Sequence, residues 1–116
     1  MPVGERRSRC PVSRTLDVLG DKWSLLVVRD LLLGKKRYAE FLDSPEGIPT
    51  NILAERLKRL AAKGVIRSHR YSLHPPRVEY ELTAKGEDLR PVVRAMVAWG
   101  VEYEGGRVPP GSINPR

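Results

Sequence analysis

Between Lys22 and Leu33 the chain is apolar at Trp23, Leu25, Leu26, Val27, Val28, Leu31, Leu32 and Leu33. These positions cover nearly every side of a helix, which predicts a core helix enclosed by protein, with Asp21 as its cap. Ahead of it, Ser13 is suited to cap a short helix ending at Gly20, with Leu16 and Leu19 on one face. After Gly34, a short helical piece from Tyr38 to Leu42 buries Phe41 and Leu42, and Asp43, Ser44, Pro45, Glu46 and Gly47 then make a turn. Pro49 fits the first turn of a new helix running to about Lys63, which Gly64 ends. Leu53, Leu57 and Leu60 form one stripe of this helix, while Asn51, Glu55, Lys58 and Ala62 fall on the opposite side with Arg59 beside them.

From Val65 to Tyr71 and from Arg77 to Leu82 the period changes to two, predicting strands with Val78, Tyr80 and Leu82 inward and Arg77, Glu79 and Glu81 outward. Ser72, Leu73, His74, Pro75 and Pro76 read as a loop longer than a two-residue turn, giving an extended hairpin, or wing. Thr83 is placed to cap a final helix with Leu89, Val92, Val93, Met96, Val97 and Trp99 at helical spacing. That stripe is longer than so small a core needs. Its surplus, with Leu16 and Leu19 of the first helix, is expected to pack on a second copy of the chain.

Residues 1–9 read as a mobile basic arm, 10–104 as one folded unit, and 105–116, broken by Gly105, Gly106, Pro109, Pro110, Gly111 and Pro115, as a loose tail. The fold class is mainly α with a small β-hairpin: a helix-turn-helix followed by a wing. The 116 residues suffice for one core but not two, and 41% hydrophobic with 30% charged residues is a globular composition. No stretch resembles a signal peptide or a membrane span, so the sequence reading places the chain in the cytoplasm, on the nucleoid of a prokaryote and away from membranes.

Charge adds a partner. With 21 Lys and Arg against 14 Asp and Glu the net charge is +7, which favours a polyanion. An α-helix fits the major groove of duplex DNA, where base pairs are distinguishable. Thr50, Asn51, Glu55, Arg56, Lys58 and Arg59 are the candidate readers on the second helix. Arg37 and Tyr38 before it, and Arg70, His74 and Arg77 on the wing, are candidates for phosphate or minor-groove contact. Glu55 has two readings, acceptance from cytosine or pairing with a neighbouring arginine. The competing function is a winged helix that binds acidic proteins rather than specific DNA.

Catalytic chemistry finds no support in the sequence. Glu79 and Glu81 share a strand face but read more readily as arginine partners, and there is no nucleophile triad, phosphate loop or dinucleotide fingerprint. His69 and His74 lack metal-site spacing, so neither metal nor cofactor is expected. Cys10 is the single cysteine. Arg6, Arg7, Arg9 and Arg14 around it would favour a thiolate, and the alternative is a small apolar residue at a subunit interface.

A set of spaced motifs points to a family. Cys10-Pro11, Gly20-Asp21-Lys22-Trp23, Arg37-Tyr38, Gly47-Ile48, Leu53, Arg56-Leu57-Lys58-Arg59-Leu60, Gly64-Val65-Ile66, Val78 through Gly86, and Trp99-Gly100 stand in the order of the HxlR-type regulators. From Cys10 to about Gly100 the chain resembles that family, departing at Tyr38, where phenylalanine is usual, and at Pro49, where serine is frequent. The resemblance implies a bacterial or archaeal winged-helix homodimer joined through its first and last helices and bound to an inverted-repeat operator. It makes the helix from Pro49 the recognition helix and leaves room for a small-molecule effector. Some members of the family use an N-terminal cysteine, the place Cys10 holds here, to sense oxidants or electrophiles.

Overall fold

The computed structural model describes residues 8–109 and 111–113; most of the expected basic arm (1–7), Pro110 and the last three residues of the tail lie outside them. At the centre is α2 (Ser24–Leu32), which buries Val27, Val28, Leu31 and Leu32. Asp21 caps it as its position predicts, accepting from the Trp23 and Ser24 amides at 3.0 and 3.1 Å. The helix ends in a double hydrogen-bonded turn, Gly34 N–H to Leu31 and Lys35 N–H to Asp30. Gly34 sits there at φ 101°, a conformation that costs a side chain about 1 kcal/mol or more.

In front of α2 runs α1 (Pro11–Leu19). It starts three residues earlier than the Ser13 cap implies, because Pro11 is compatible with the first turn, where no amide partner is needed. Helix α3 (Tyr38–Leu42) and helix α4 (Thr50–Ala62) follow, joined by the expected turn. Leu53, Leu57 and Leu60 are at most 2% exposed, so the predicted stripe docks α4 on the core. Pro49 precedes the helix as its cap residue rather than lying within it.

Strands β1 (Ile66–Leu73) and β2 (Pro76–Leu82) pair antiparallel from Ile66 opposite Leu82 to Leu73 opposite Pro76. Only His74 and Pro75 remain between the paired ends, so the wing closes with a two-residue turn and not the longer loop expected. Arg70 faces Val78 and Ser72 faces Arg77, which leaves Tyr71 as an extra, bulged residue. Tyr80 and Leu82 turn toward the body as predicted, whereas Val78 lies far enough along the wing to be exposed. Phe41 and Tyr80 meet edge to face at 6.2 Å, tying α3 to β2.

The final helix is broken in two, α5 (Ala84–Glu87) and α6 (Arg90–Tyr103). Thr83 caps the first, its hydroxyl accepting from the Gly86 amide at 3.2 Å. Pro91 has no N–H to donate to Glu87, so the helix restarts with proline in its first turn. Two further expectations are corrected. Leu19 and Val93, assigned to a subunit interface, are 5% exposed within a single chain. The tail is not loose throughout, because a 3₁₀ turn (Gly111–Ile113) brings Ile113, fully buried, against α2 and α6.

Candidate nucleic-acid interface

The outer face of α4 carries Asn51, Ala54, Glu55, Lys58, Ala61 and Ala62, all exposed. Three of these are alanines, so the surface is low enough for close approach, and Asn51 and Lys58 stand out from it. Thr50 is also exposed, at the first turn of the helix.

Arg56 and Arg59 are placed differently from the outward projection that the sequence reading gave them. Arg56 Nε donates to Asp21 Oδ2 at 2.7 Å, and Arg59 donates from one Nη to Asp21 Oδ1 at 2.5 Å and to Ser24 Oγ at 2.9 Å. At about 100° per residue both lie on the flank of α4 between its leucine stripe and its outer face. The cap of α2 waits there. Partial burial raises the Asp21 carboxyl, but hydrogen bonds from Arg56, Ser24 and the Trp23 and Ser24 amides outweigh it and hold the group well below the carboxylate range. Glu55 pairs with Arg56, which agrees with the second of its two readings. Asp21 was legible as a cap; its role as the anchor of α4 was signalled only by two arginines three residues apart on a flank.

The turn before α4 is also fixed. Arg29 of α2 donates to both oxygens of Glu46 at 2.7 Å and to Asp30 Oδ1. Buried Asp30 accepts from Ser44 Oγ at 2.5 Å, and Ser44 accepts from Lys35 at 2.7 Å. Tyr38, a candidate DNA contact, donates its hydroxyl to the Thr50 carbonyl at 2.6 Å, linking α3 to the start of α4. These bonds set the angle at which α4 is presented.

Beside α4, the backbone at Lys36 and Arg37 joins the edge of β2: Tyr80 N–H donates to the Lys36 carbonyl at 2.8 Å, and Arg37 bridges Glu79. Glu40 closes the first turn of α3 by accepting from the Lys36 and Arg37 amides, which lower its pKa. The Arg37 guanidinium stacks 4.2 Å from the centre of the bulged Tyr71 ring and donates to Glu79 at 3.1 Å. Glu79 therefore does not point to solvent as expected; its side chain is 18% exposed and also faces His69. Glu81 is held below its ordinary pKa by Arg67. An open groove of about 770 Å³ lies between the start of α3 and the wing, lined by Lys36, Arg37, Tyr38, Tyr71, Arg77 and Glu79 among others. Arg70, His74 and Arg77 are exposed along the wing.

Cys10 is exposed at the start of α1, and its thiol pKa is lowered by the Ser13 and Val12 amides of the first turn. Helix-end amides are the cause, where the sequence suggested arginines. Among the described residues no cluster of His, Cys, Asp and Glu could hold a metal ion, and no helix is long and apolar enough to cross a membrane.

A core helix, a short helix, a fixed turn, an exposed amphipathic helix and an adjoining hairpin define the winged helix-turn-helix class. The chain belongs to the HxlR-like helix-turn-helix family, which matches residues 18–107. It is 40% identical over 102 residues to an uncharacterised HTH-type transcriptional regulator of Synechocystis, covering 88% of this chain and 76% of that one. Among solved structures it is similar to the redox regulator HypR in its oxidised form (TM-score 0.74, 40% identity, 84% of this chain and 98% of that one). It is also similar to the reduced form of the transcriptional regulator YodB from Bacillus subtilis (TM-score 0.68, 32% identity, 86% and 100%). The chain is a DNA-binding transcriptional regulator.

Proposed function

We propose that the chain acts in the cytoplasm, on the nucleoid, as a homodimer that reads an inverted-repeat operator with one α4 in each of two successive major grooves. The observation that carries this reading is the open outer face of α4 beside the wing. In it, Asn51 contacts a base edge, Lys58 and Thr50 contact bases or phosphates, and Arg70, His74 and Arg77 follow the backbone into the neighbouring minor groove. Arg37 is oriented by Tyr71 and Glu79 for a phosphate, and Arg56 and Arg59 serve by holding α4 in place. No catalytic step is assigned to any of these residues.

The second copy is assigned to the apolar face that one chain leaves open. Val12 and Leu16 of α1 are 67% and 52% exposed, and Val92, Met96 and Trp99 of α6 are 41%, 51% and 61% exposed. Met96 and half-buried Val97 also edge a groove over Leu25 and Leu26 of α2.

Binding measured by fluorescence anisotropy on the gene's own upstream duplex tests the assignment. Asn51→Ala should lose about 1–3 kcal/mol of preference over a scrambled duplex. Lys58→Ala should weaken both duplexes alike and reduce the salt slope by about one. Equal loss on both duplexes from Asn51→Ala would remove it as a base reader.

A redox response is favoured by the exposed, acidified Cys10 thiol and by similarity to a regulator described as a redox regulator. Two Cys10 thiols in a dimer would lose two protons and two electrons to form an intersubunit disulfide, with diamide taking them up as its hydrazine. In the same assay diamide should release wild type but not Cys10→Ser; equal release of both would exclude Cys10 as the sensor.

A further inference from the structure

Where α1, the end of α4 and α5 meet, Arg14, Thr15, Val18, Leu19, Lys63, Val65, Lys85 and Leu89 line a cavity of about 240 Å³. Three of the eight are cations and none is acidic. Two of the cations are fixed through backbone carbonyls, Lys85 Nζ donating to the Lys63 carbonyl at 2.7 Å and Arg14 Nε to that of Ser8 at 3.1 Å. Thr15 spends its hydroxyl proton on the Pro11 carbonyl at 2.8 Å. Leu19 and Val65 are nearly fully buried, and Val18 and Leu89 are half-buried, so the floor is apolar.

We propose that this cavity binds a small organic anion, a single-ring or short-chain carboxylate, whose carboxylate meets Lys63, Lys85 and Arg14 while its hydrocarbon part covers the four apolar residues. The volume lies just below the range of drug-sized ligand clefts, which suits one ring and not two. The cationic rim selects for charge, and the apolar floor separates such an anion from inorganic phosphate or a DNA phosphate, neither of which would cover Leu19 or Val65. The position gives the ligand a role as effector, a role that rests on the regulator reading: an occupant would bridge the helix assigned to the subunit interface and the C-terminal end of α4, and so bias how α4 is held.

Titration calorimetry on the full chain without DNA, using benzoate, benzamide and inorganic phosphate, tests the site. Benzoate should bind, with benzamide and phosphate at least about tenfold weaker. The double variant Lys63→Ala/Lys85→Met should lose benzoate, while Val18→Trp, which fills the cavity and keeps its cations, should lose it as well. Equal affinity for benzamide or for phosphate, or unchanged benzoate binding in either variant, would overturn the site. If the double variant instead lowered the salt slope of ligand-free DNA binding by about two, the lysines would be phosphate contacts and the proposal would fall. Benzoate binding with unchanged operator affinity would overturn the effector role alone. Failure of specific DNA binding both with and without benzoate would count against the regulator reading and not against the cavity.

Discussion

Asp21 shows how one carboxylate serves two helices. It caps α2 through two amides, and it receives Arg56 and Arg59 of α4 in the same small space. Removing it leaves two guanidinium groups partly buried without their partner, and the Arg59 Nε already has none. Asp21→Asn should therefore destabilise the fold by about 2 kcal/mol, on the scale of a partly buried pair broken from one side. Because the folded-state pKa of Asp21 is depressed, its contribution is complete above the unfolded value of about 3.9 and is lost as pH falls toward the lower folded value. Thermal unfolding followed from pH 6 to pH 3 should fall less steeply in Asp21→Asn than in wild type. Parallel curves would show that the carboxylate does not hold α4. At this scale the sequence was readable in part. Caps at Asp21 and Thr83 and the stripe of α4 follow from local rules, but the partners of Arg56, Arg59, Tyr38 and Glu79 lie at sequence distances that no periodicity reports.

Elements were more legible than contacts, because each helix and strand advertises its period and its ends. The break between α5 and α6 was written in Pro91, which the long stripe Leu89 to Trp99 concealed. The wing turn is shorter than the sequence implies, because His74-Pro75-Pro76 has the composition of a longer loop, whereas pairing continues to Leu73 and Pro76. Junctions between elements depend on close approach, as at Gly86. A Cβ there would lie 2.2 Å from the Val65 carbonyl oxygen and 2.8 Å from Leu82, so α5 can cross the base of the wing only with glycine. Gly86→Ala should lower stability by several kcal/mol or abolish folding, read by denaturant unfolding. A change under about 0.5 kcal/mol would mean that this crossing is looser than described.

For the whole molecule, one chain completes a core and leaves a second apolar face open. Val12, Leu16, Val92, Met96, Trp99 and Tyr103 are all more than 40% exposed, an accumulation that a stable monomer would not carry without cost in solubility. The sequence distinguished this face as surplus length in the last stripe, together with Leu16 and Leu19 of the first helix. It could not say that Leu19 and Val93 turn inward while Met96 and Trp99 turn outward, since both sets share helical spacing. Met96→Glu, a charge in the middle of that face, should convert the proposed dimer to monomer in sedimentation at micromolar concentration while the circular dichroism of the fold is kept. An unchanged sedimentation coefficient would place the interface elsewhere.

Two copies of α4, held by Asp21 and flanked by wings, are proposed to read a symmetric site. Selection of bound duplexes from a random library by the purified chain tests it most directly. The expected result is enrichment of an inverted repeat whose half-sites lie about 10 base pairs apart, or a multiple of that spacing. Recovery of unrelated sequences with no shared half-site would contradict it.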